Sequence, residues 1–319
     1  MNRRLLRAGE LDLVAPLVQE YPYKPYRNYR VFSRKAQQAV MLAEIGDTLG
    51  HADGVVSLAE HDGHRAMAIA RFLEWDSRFF GVPMARIEYV LAPSPALTAA
   101  ALDAAIEALR SRGARHISAR VDVADIESIG VCEANGFRLM DTLVTYITRP
   151  RKEPPNEVKE VGRIRPYRAE DADSIVEITA EAYRGFRGRF QLDANIPKER
   201  ADAFYVEWAR QCVGSRMADM IVVSEAADGR ILGYLAFRRR EPVSTSGETP
   251  VFGGGLGACR ADAPGAYAGL IRAGTLWAHE RDGVAECQTQ NYNFAVIRIY
   301  EAVGAHYVRA EHTLHRWLS

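Results

Sequence analysis

Two stretches of the chain share one pattern of strand, short helix and strand, and this repeat restricts the possible folds more than any other feature. With a constant offset of 168 positions, the copies align at three pairs of residues: Asp125 with Asn293, Cys132 with Tyr300, and Gly136 with Gly304. A glycine after a short helix suits the left-handed backbone conformation that only glycine adopts at little cost. The repeat predicts two similar domains in tandem.

The later copy runs from Cys287 to Trp317 and contains the pair of residues best suited to chemistry. Asn293 and Tyr300 are seven positions apart, about two helical turns, so a helix presents both side chains on one face. A tyrosine there has two interpretations: an amphipathic side chain that packs against the sheet, or a proton donor held on a rigid helix. The residues around the pair favour the proton donor.

The segment from Asn293 to Gly304 has the order N-x-A-x-x-x-x-Y-x-x-x-G. This order resembles the last conserved segment of the GNAT superfamily of acyl-CoA-dependent N-acetyltransferases. The resemblance implies that Tyr300 is the general acid that protonates the departing CoA thiolate. It also implies that Asn293 contacts the pantetheine arm of the carrier or an ordered water beside it. Acetyl-CoA is therefore the implied co-substrate, and no metal ion is expected.

Two further segments, W-D-x-x-F-F-G from Trp75 and R-F-x-x-D-x-x-I-P from Arg189, resemble the sugar-nucleotide N-acetyltransferases of the same superfamily. The second segment forms part of the acceptor pocket in GNAT enzymes, and the residues that the resemblance implies there are Arg187, Arg189, Tyr205 and Trp208. Arginine suits a nucleotide diphosphate, and an aromatic ring suits a base or a sugar face. For Tyr205 and Trp208, packing in the core is the other interpretation.

A CoA pyrophosphate requires backbone N–H groups at the start of a helix, with glycine nearby so that the phosphates can approach. GNAT proteins have the form [QR]-x-x-G-x-[GA] in the loop before the helix that here contains Trp277. Gly265 and Ala268 agree with that form, whereas Pro264 and Tyr267 depart from it. Tyr267 either obstructs the phosphates or stacks on the adenine. The residues assigned to the carrier are Leu256, Ala258, Gly265, Ala266, Ala268 and Asn293.

The charge balance and the cysteines exclude several kinds of partner. Lys plus Arg and Asp plus Glu both total 41, so the net charge is zero and favours neither nucleic acid nor a membrane surface. The four cysteines are scattered without a C-x-x-C pair, so neither a zinc site nor a disulfide framework is expected. No apolar run is long enough to span a bilayer. Glu10 and Asp12 interrupt the apolar run near the N-terminus, so no signal peptide is expected. These features predict a cytoplasmic protein.

The fold that we expect is α/β (α+β), with two tandem GNAT-like domains, each a mixed, mainly antiparallel twisted sheet flanked by helices. A charged segment with three prolines, Arg149 to Arg163, is predicted to be a linker. The predicted division is a supporting domain 1–150, a linker 151–162 and a catalytic domain 163–319. The first domain has Asp125 and Cys132 at the two catalytic positions, so we expect it to bind no acyl-CoA. A reactive Cys132 is the other interpretation, although a lone cysteine in an apolar helix is usually inert.

The expected function is acyl-CoA-dependent N-acyl transfer, with the amine of a nucleotide-linked amino sugar as the first hypothesis for the acceptor. The neutral amine attacks, a backbone N–H holds the oxyanion, and Tyr300 supplies the proton. Glu248 and Asp262 are the candidates for a general base. Two alternatives stay open: a GNAT enzyme for another small amine, such as an aminoglycoside, an amino acid or a peptide N-terminus, and a non-catalytic GNAT-like binding protein. A monomer or a homodimer is expected.

Overall fold

Helices and strands alternate along the chain in the computed structural model, which describes residues 2–7, 9–150, 154–214 and 217–318. The elements of the first half are β1 (Asn2–Leu5), α1 (Ala15–Glu20), α2 (Arg34–Gly50), β2 (Gly54–His61), β3 (His64–Phe72), α3 (Glu74–Phe80), β4 (Met84–Leu91), α4 (Pro95–Ser111), β5 (His116–Asp122), α5 (Ile126–Ala134) and β6 (Arg138–Thr148). Those of the second half are β7 (Arg163–Pro166), α6 (Ala172–Ala182), α7 (Lys198–Val213), β8 (Met220–Glu225), β9 (Ile231–Arg239), α8 (Val243–Ser246), β10 (Val251–Gly253), β11 (Gly257–Cys259), α9 (Ala266–His279), β12 (Val284–Gln290), α10 (Phe294–Ala302) and β13 (His306–Trp317). In these described ranges, none of the helices combines the length and the apolar character that a membrane crossing requires.

The two copies of the repeated pattern have the same local structure. β5 and β12 each contain seven residues and α5 and α10 each contain nine, with starts at 116 and 284 and at 126 and 294. The residues just before the helices have nearly equal backbone angles: φ and ψ are −86° and 67° at Asp125, and −83° and 64° at Asn293. Gly136 and Gly304 both have positive φ, 77° and 92°. These matches agree with the predicted repeat.

The chain divides into two compact units, of which the first contains Met1–Leu143 and Ala310–Ser319. Its strands follow the order β1, β2, β3, β4, β5, and residues 311–317 of β13 come next. Only β4 and β5 pair in parallel among these described strands, and the other pairs are antiparallel. Residues 311–317 therefore form a strand of this sheet beside β5.

The second unit contains Val144–Arg309. β7, β8 and β9 pair antiparallel, and β10 pairs antiparallel with β9 and parallel with β12. The neighbour of β12 on its other side is β6, of which residues 144–148 belong to this unit. The side-chain amide of Gln288 in β12 donates a hydrogen bond of 3.2 Å to Thr145 Oγ1 in β6. A strand that precedes the proline-rich linker in sequence therefore completes this sheet.

The last strands differ from the predicted domain boundaries. The prediction keeps 163–319 together, whereas Ala310–Ser319 lies in the first unit and residues 144–150 lie in the second. β6 and β13 both follow a short helix, and both suit a half-buried position, so the sequence pattern does not distinguish which sheet each strand completes. Of the predicted linker, residues 151–153 lie outside the described residues.

β9 has a helix on each face in the second unit. Gly274 of α9 lies so close to this strand that a Cβ there would be 2.7 Å from Leu235 Cδ2. Tyr234 is adjacent in sequence and points to the opposite face, because successive strand residues alternate. Its hydroxyl is 2.7 Å from Thr179 Oγ1 of α6. Side chains from α9 and α6 therefore reach the strands from opposite faces of the sheet.

A buried ion pair fixes the start of the second unit. Arg165 of β7 donates two hydrogen bonds of 2.8 Å to the carboxylate of Asp171 and one of 2.8 Å to Glu225 Oε1. The Asp171 side chain is 3% exposed. The hydrogen bonds from Arg165 lower the pKa of Asp171 below its ordinary value. The unfolded chain therefore binds a proton more readily than the folded protein.

This pKa shift gives a prediction for the Asp171→Asn variant. The wild-type pair stabilises the fold above the unfolded pKa of Asp, about 3.9, and this contribution is lost as the pH falls through the lower folded pKa. We expect the variant to lose about 3 kcal/mol of unfolding free energy near neutral pH, the low end for a broken buried pair because Glu225 remains beside Arg165. Its stability should also fall less in acid. Urea unfolding at neutral pH and at about pH 3 measures both effects.

The exposed neighbour Glu170 is the control for this prediction. It lies 3.8 Å from Arg168 in a pair with both side chains exposed. Glu170→Gln should change the unfolding free energy by less than about 0.5 kcal/mol. An equal loss in the two variants would contradict the role assigned to the buried pair.

Candidate active site

At a run of glycines in the second unit, the chain keeps β9 as its neighbour and stops pairing with β12. β10 lies between β9 and β12, whereas β11 pairs with β9 alone in the strand order. A Cβ at Gly253 would be 2.1 Å from Glu286 O, and one at Gly255 would be 1.5 Å from Ala236 O. Gly254 between them has φ of 64°. These positions require glycine, and the end of the pairing with β12 leaves a gap in the sheet between β11 and the end of β12.

Backbone groups of β11 face this gap. Leu256 O accepts a hydrogen bond of 2.8 Å from Ala236 N, and Arg260 N donates one of 2.8 Å to Leu232 O. Because the bonding direction alternates along an antiparallel strand, Ala258 also bonds β9, whereas Gly257 and Cys259 turn their backbone groups toward the gap. Leu256 and Ala258, two of the residues predicted to bind the carrier, thus direct their backbone hydrogen bonds to β9. The sequence did not single out Gly257 or Cys259.

Tyr300 lies at the gap from the side of α10. It is 2% exposed, and its hydroxyl donates a hydrogen bond of 3.1 Å to Gln288 O of β12. Helical side chains tilt toward the N-terminus, which lets a tyrosine in the last turns of α10 reach back to the preceding strand. Burial raises the pKa of the Tyr300 hydroxyl well above its ordinary value. The phenol is therefore protonated at neutral pH.

Two more tyrosines meet at the same place. The hydroxyl of Tyr183 donates a hydrogen bond of 3.2 Å to Gly257 O. The ring of Tyr267 covers Gly257, where a Cβ would lie 2.9 Å from its Cε2 and 3.0 Å from its hydroxyl. Burial, and after it the neighbouring phenol of Tyr267, raises the pKa of Tyr300. Sequence reasoning noticed Tyr267 only as a departure from the loop pattern, and Tyr183 carried no signal that connects it with Tyr300.

Asn293 forms the turn between β12 and α10. It is the residue before the helix, and its carbonyl accepts a hydrogen bond of 3.0 Å from Ile297 N. Its side-chain amide donates to Thr289 Oγ1 at 3.0 Å. The side chain thus orders the backbone between the strand and the helix that carries Tyr300. It remains half-buried.

The helix α9 begins at a glycine-containing turn. Gly265 has φ of 90°, and the N–H groups of Ala266 and Ala268 donate to Ala263 O and Gly265 O at 3.2 and 3.1 Å. Asp262 in this turn pairs with Arg230 at 2.8 Å. The other predicted candidate for the general base, Glu248, is exposed before β10.

The residues predicted to bind the acceptor lie around the start of α7. Tyr205 is buried and stacks on Tyr183 with ring centroids 4.2 Å apart, and the half-buried Trp208 stacks on Tyr205 at 6.4 Å. Arg187 is exposed, and its carbonyl accepts a hydrogen bond from the Tyr292 hydroxyl. The guanidinium of Arg189 lies 4.2 Å from the centre of the Phe190 ring. Tyr205 thus belongs to the core, while Arg187 faces solvent.

The corresponding positions in the first unit have a different chemistry. Burial raises the pKa of the Cys132 thiol to about 12, so the thiolate is scarce at neutral pH. Asp125 accepts a hydrogen bond of 3.1 Å from Ser128 N and thereby caps α5. Asp122, at the end of β5, forms an ion pair of 2.8 Å with Arg27. These contacts agree with a supporting role and give no support to a reactive Cys132.

Comparisons with known proteins agree with this architecture. The chain is 24% identical over 245 residues to dTDP-fucosamine acetyltransferase from Escherichia coli O6:H1, and the match covers 76% of this chain and 96% of the relative. A GCN5-related N-acetyltransferase from Sphaerobacter thermophilus has a similar structure, with a TM-score of 0.62 and 15% identity over 99% of this chain and 95% of that one. A tandem GNAT protein from the clavulanic acid biosynthesis pathway has a TM-score of 0.54 and 12% identity over 99% of this chain and 98% of that one.

No protein-family model matches the chain. The tandem neighbour agrees with a fold of two GNAT domains in one chain, and the protein that matches 76% of this chain in sequence is an acetyltransferase. The chain therefore has the fold of the GNAT N-acetyltransferases, and its sequence is similar to that of one acetyltransferase.

Proposed function

We propose that the second unit transfers an acetyl group from acetyl-CoA to a primary amine. The observation that carries this proposal is the buried phenol of Tyr300, which is held 3.1 Å from Gln288 O at the gap between β11 and β12. The N–H groups of Gly257 and Cys259 turn toward the same space. A proton donor and two oxyanion donors around one space suit a thioester, so we assign the acyl arm of the carrier to this gap.

The proposed reaction is a direct transfer. The amine nitrogen attacks the thioester carbon, and the negative charge that develops on the carbonyl oxygen is stabilised by a backbone N–H of β11. Collapse of this intermediate forms the amide and breaks the carbon–sulfur bond. The sulfur leaves as a thiolate and takes the proton of Tyr300, while water accepts the proton that the attacking nitrogen loses. Neither Glu248 nor Asp262 has a step in this scheme.

Burial has parallel effects on the donor and the acceptor of the proton. It raises the pKa of Tyr300 well above the ordinary value, and it raises the pKa of the Cys287 thiol on β12 to about 12. A CoA thiolate in the same surroundings is poorly solvated and is therefore a stronger base than in water. The proton affinities of phenolate and thiolate thus rise together, which keeps the transfer between them feasible.

We assign the pyrophosphate of the carrier to the start of α9. The N–H groups of Ala266 and Ala268 are occupied by the turn, which leaves those of Gly265 and Tyr267 as the proposed phosphate donors. Asn293 is the proposed contact for the pantetheine arm, because it lies beside the strand that lines the gap. This assignment retains Gly265 from the sequence prediction and adds the backbone of Tyr267.

The proposed acceptor is an amine on a sugar that is carried by a nucleotide diphosphate. The name of the relative in sequence supports this class, since dTDP-fucosamine is such a compound. The backbone carbonyl of the exposed Arg187 accepts a hydrogen bond from the Tyr292 hydroxyl. Tyr292 and the nearby Phe294 are 39% and 67% exposed. An arginine beside exposed rings suits a diphosphate with a base. Trp208, which is half-buried and stacks on Tyr205, is a further candidate for a contact with the base or the sugar of the acceptor.

The test compares the same amino sugar with and without its nucleotide. With acetyl-CoA and full-length protein, we expect the nucleotide-linked sugar to have a kcat/KM at least about tenfold higher, the low end for loss of hydrogen bonds to a charged group. Arg187→Gln should remove most of that preference. Equal rates for both sugars, or faster acetylation of an aminoglycoside, an amino acid or a peptide N-terminus, would contradict the proposed acceptor and favour a GNAT enzyme for another amine.

A non-catalytic binding protein is the second candidate, and one observation favours it. The ring of Tyr267 covers Gly257 and thereby occupies part of the gap assigned to the acyl arm. If the ring does not move aside, the thioester has no access to Tyr300. A folded protein that binds neither acetyl-CoA nor a longer acyl-CoA would support this candidate.

A further inference from the structure

Two arginines and a glutamate surround Gly253 at the point where β10 and β12 stop pairing. Gly253 is the last residue of β10, and it lies opposite Arg238 of β9 and opposite Glu286 of β12. Arg240 follows β9 directly, and its guanidinium forms an ion pair with Glu286. Because β10 lies between β9 and β12, the Arg240 side chain crosses β10 near its last residue, where glycine presents no side chain.

The two arginines lie on the face of the sheet that α6 and α7 cover. Successive residues of a strand alternate, so Arg238 and Arg240 point to the same face as Tyr234, whose hydroxyl contacts α6. Burial raises the pKa of the Cys212 thiol in α7 to about 12, and the charge of Arg238 opposes this rise. Arg238 is therefore directed toward α7, the helix that carries two of the aromatic residues predicted to bind the acceptor.

The ion pair holds Arg240 in place and leaves an excess of positive charge on this face. The Glu286 side chain is 0% exposed, whereas that of Arg240 is 30% exposed. A buried carboxylate requires a partner for its charge, and one carboxylate uses at most two of the five N–H donors of a guanidinium. Arg238 is exposed and forms no ion pair with a residue in the described ranges. The three side chains thus carry one positive charge in excess.

Two arginines on either side of a bare stretch of backbone suit a phosphate group. A guanidinium binds phosphate through two parallel hydrogen bonds, and the missing side chain at Gly253 leaves room for the phosphate between the arginines. The gap begins just beyond this point. Gly253 and Gly257 are four residues apart, so at most about 14 Å of chain separates them. A sugar that carries both an amine and a phosphate fits within this distance.

We propose that Arg238 and Arg240 form a subsite for the phosphate that is attached directly to the sugar of the acceptor. This inference rests on the proposed function and makes its acceptor more specific. The subsite would hold the sugar with its amine toward the gap, while Arg187 and the exposed aromatic rings beside it remain assigned to the outer phosphate and the base. It would also select against a cationic acceptor such as an aminoglycoside, because like charges repel.

The test compares a free amino sugar with its 1-phosphate, with acetyl-CoA as the donor and the full-length protein as the enzyme. We expect the 1-phosphate to have a kcat/KM roughly five- to tenfold higher, between the values of an exposed ion pair and of a hydrogen bond to a buried charge. Arg238→Gln should lower this ratio about two- to threefold. The triple variant Arg238→Gln, Arg240→Gln, Glu286→Gln should bring it to about one, and it leaves no buried charge without its partner.

Arg239→Gln is the matched control. Arg239 lies between the two arginines in sequence, points to the opposite face, and pairs with Glu241 in a contact where both side chains are exposed. We expect this variant to keep the wild-type ratio. A general loss of stability or of acetyl-CoA binding lowers both rates and leaves their ratio unchanged, so a merely structural role would not reproduce the expected result.

The outcomes separate this inference from the proposed function. A wild-type ratio near one, with the nucleotide-linked sugar still the better substrate, would overturn the phosphate subsite and leave the proposed function in place. A wild-type ratio in the triple variant, or an equal loss in Arg239→Gln and Arg238→Gln, would also overturn it. Absence of acetyl transfer to all three forms of the amino sugar would instead refute the proposed function itself.

Discussion

The Tyr300→Phe variant is expected to transfer acetyl groups about a hundred to ten thousand times more slowly than the wild-type protein, the contribution of a positioned general acid. The hydroxyl is the only part removed, so the thiolate loses its proton donor while the ring still fills its buried position. The acetyl-CoA dissociation constant should change by less than about threefold, because the proposed role concerns the transition state. Steady-state rates and calorimetry on the same preparation measure the two quantities.

Tyr307→Phe is the matched control for this result. Tyr307 is 54% exposed, and its ring lies 5.8 Å from that of Tyr146, so the variant removes a tyrosine hydroxyl from the same unit. We expect its kcat to equal that of the wild-type protein. A Tyr300→Phe variant that retains more than about half of the wild-type kcat would show that another group, or water, protonates the thiolate.

The Leu314→Ala variant is expected to destabilise the first unit, although Leu314 belongs to the last strand of the chain. Leu314 is 1% exposed and belongs to a core cluster with Ile117 of β5 and Phe137. Its truncation should cost about 2–5 kcal/mol of unfolding free energy. Hydrogen exchange should accelerate first in β5, where Leu314 is opposite Ala119, and urea unfolding gives the size of the loss.

Val308→Ala is the control from the same strand. Val308 is 7% exposed and lies in the part of β13 that belongs to the second unit. We expect its effect on hydrogen exchange to appear in the second unit and to leave β5 protected. The assignment of the C-terminal segment would be wrong if Leu314→Ala accelerated exchange in the second unit and left β5 unchanged.

The sequence predicted most of the local structure because short-range signals determine it. The helix that carries Tyr300, its preceding Asn293 and its closing Gly304 follow from spacing within a dozen residues, and the structure has them as a strand, helix and strand. The repeat in the first unit follows from the same signals. Two tandem GNAT-like domains could therefore be predicted from the sequence alone.

The partners of the terminal strands could not be predicted in this way. β6 and β13 have the same position within their repeats, and a strand carries no local signal for which of two similar edges it will join. The choice depends on long-range contacts such as Gln288 with Thr145 and Leu314 with the core around Ile117. These contacts join residues that are distant in sequence, so neither spacing nor composition indicates them.

The candidate site was also only partly predictable. Tyr300 and Asn293 were found because a motif connects them, whereas Tyr183 is separated from both by more than a hundred residues. Tyr267 was noticed as a departure from a loop pattern, but its contact with Gly257 depends on the place where the chain stops pairing with β12 and stays paired with β9. This change in strand pairing is a property of the folded sheet. The sequence alone therefore does not indicate that the N–H groups of Gly257 and Cys259 turn toward the gap.

A calorimetric titration of the full-length protein with acetyl-CoA would show whether the gap between β11 and β12 is an acyl site. We expect one acetyl-CoA to bind per chain, because Cys132 stands at the position of Tyr300 in the first unit and residues 92–94, before α4, contain no glycine. Two equivalent sites would contradict the supporting role of the first unit. A folded protein that releases no heat with acetyl-CoA, and none with a longer acyl-CoA, would contradict the assignment of the gap between β11 and β12 as the acyl site.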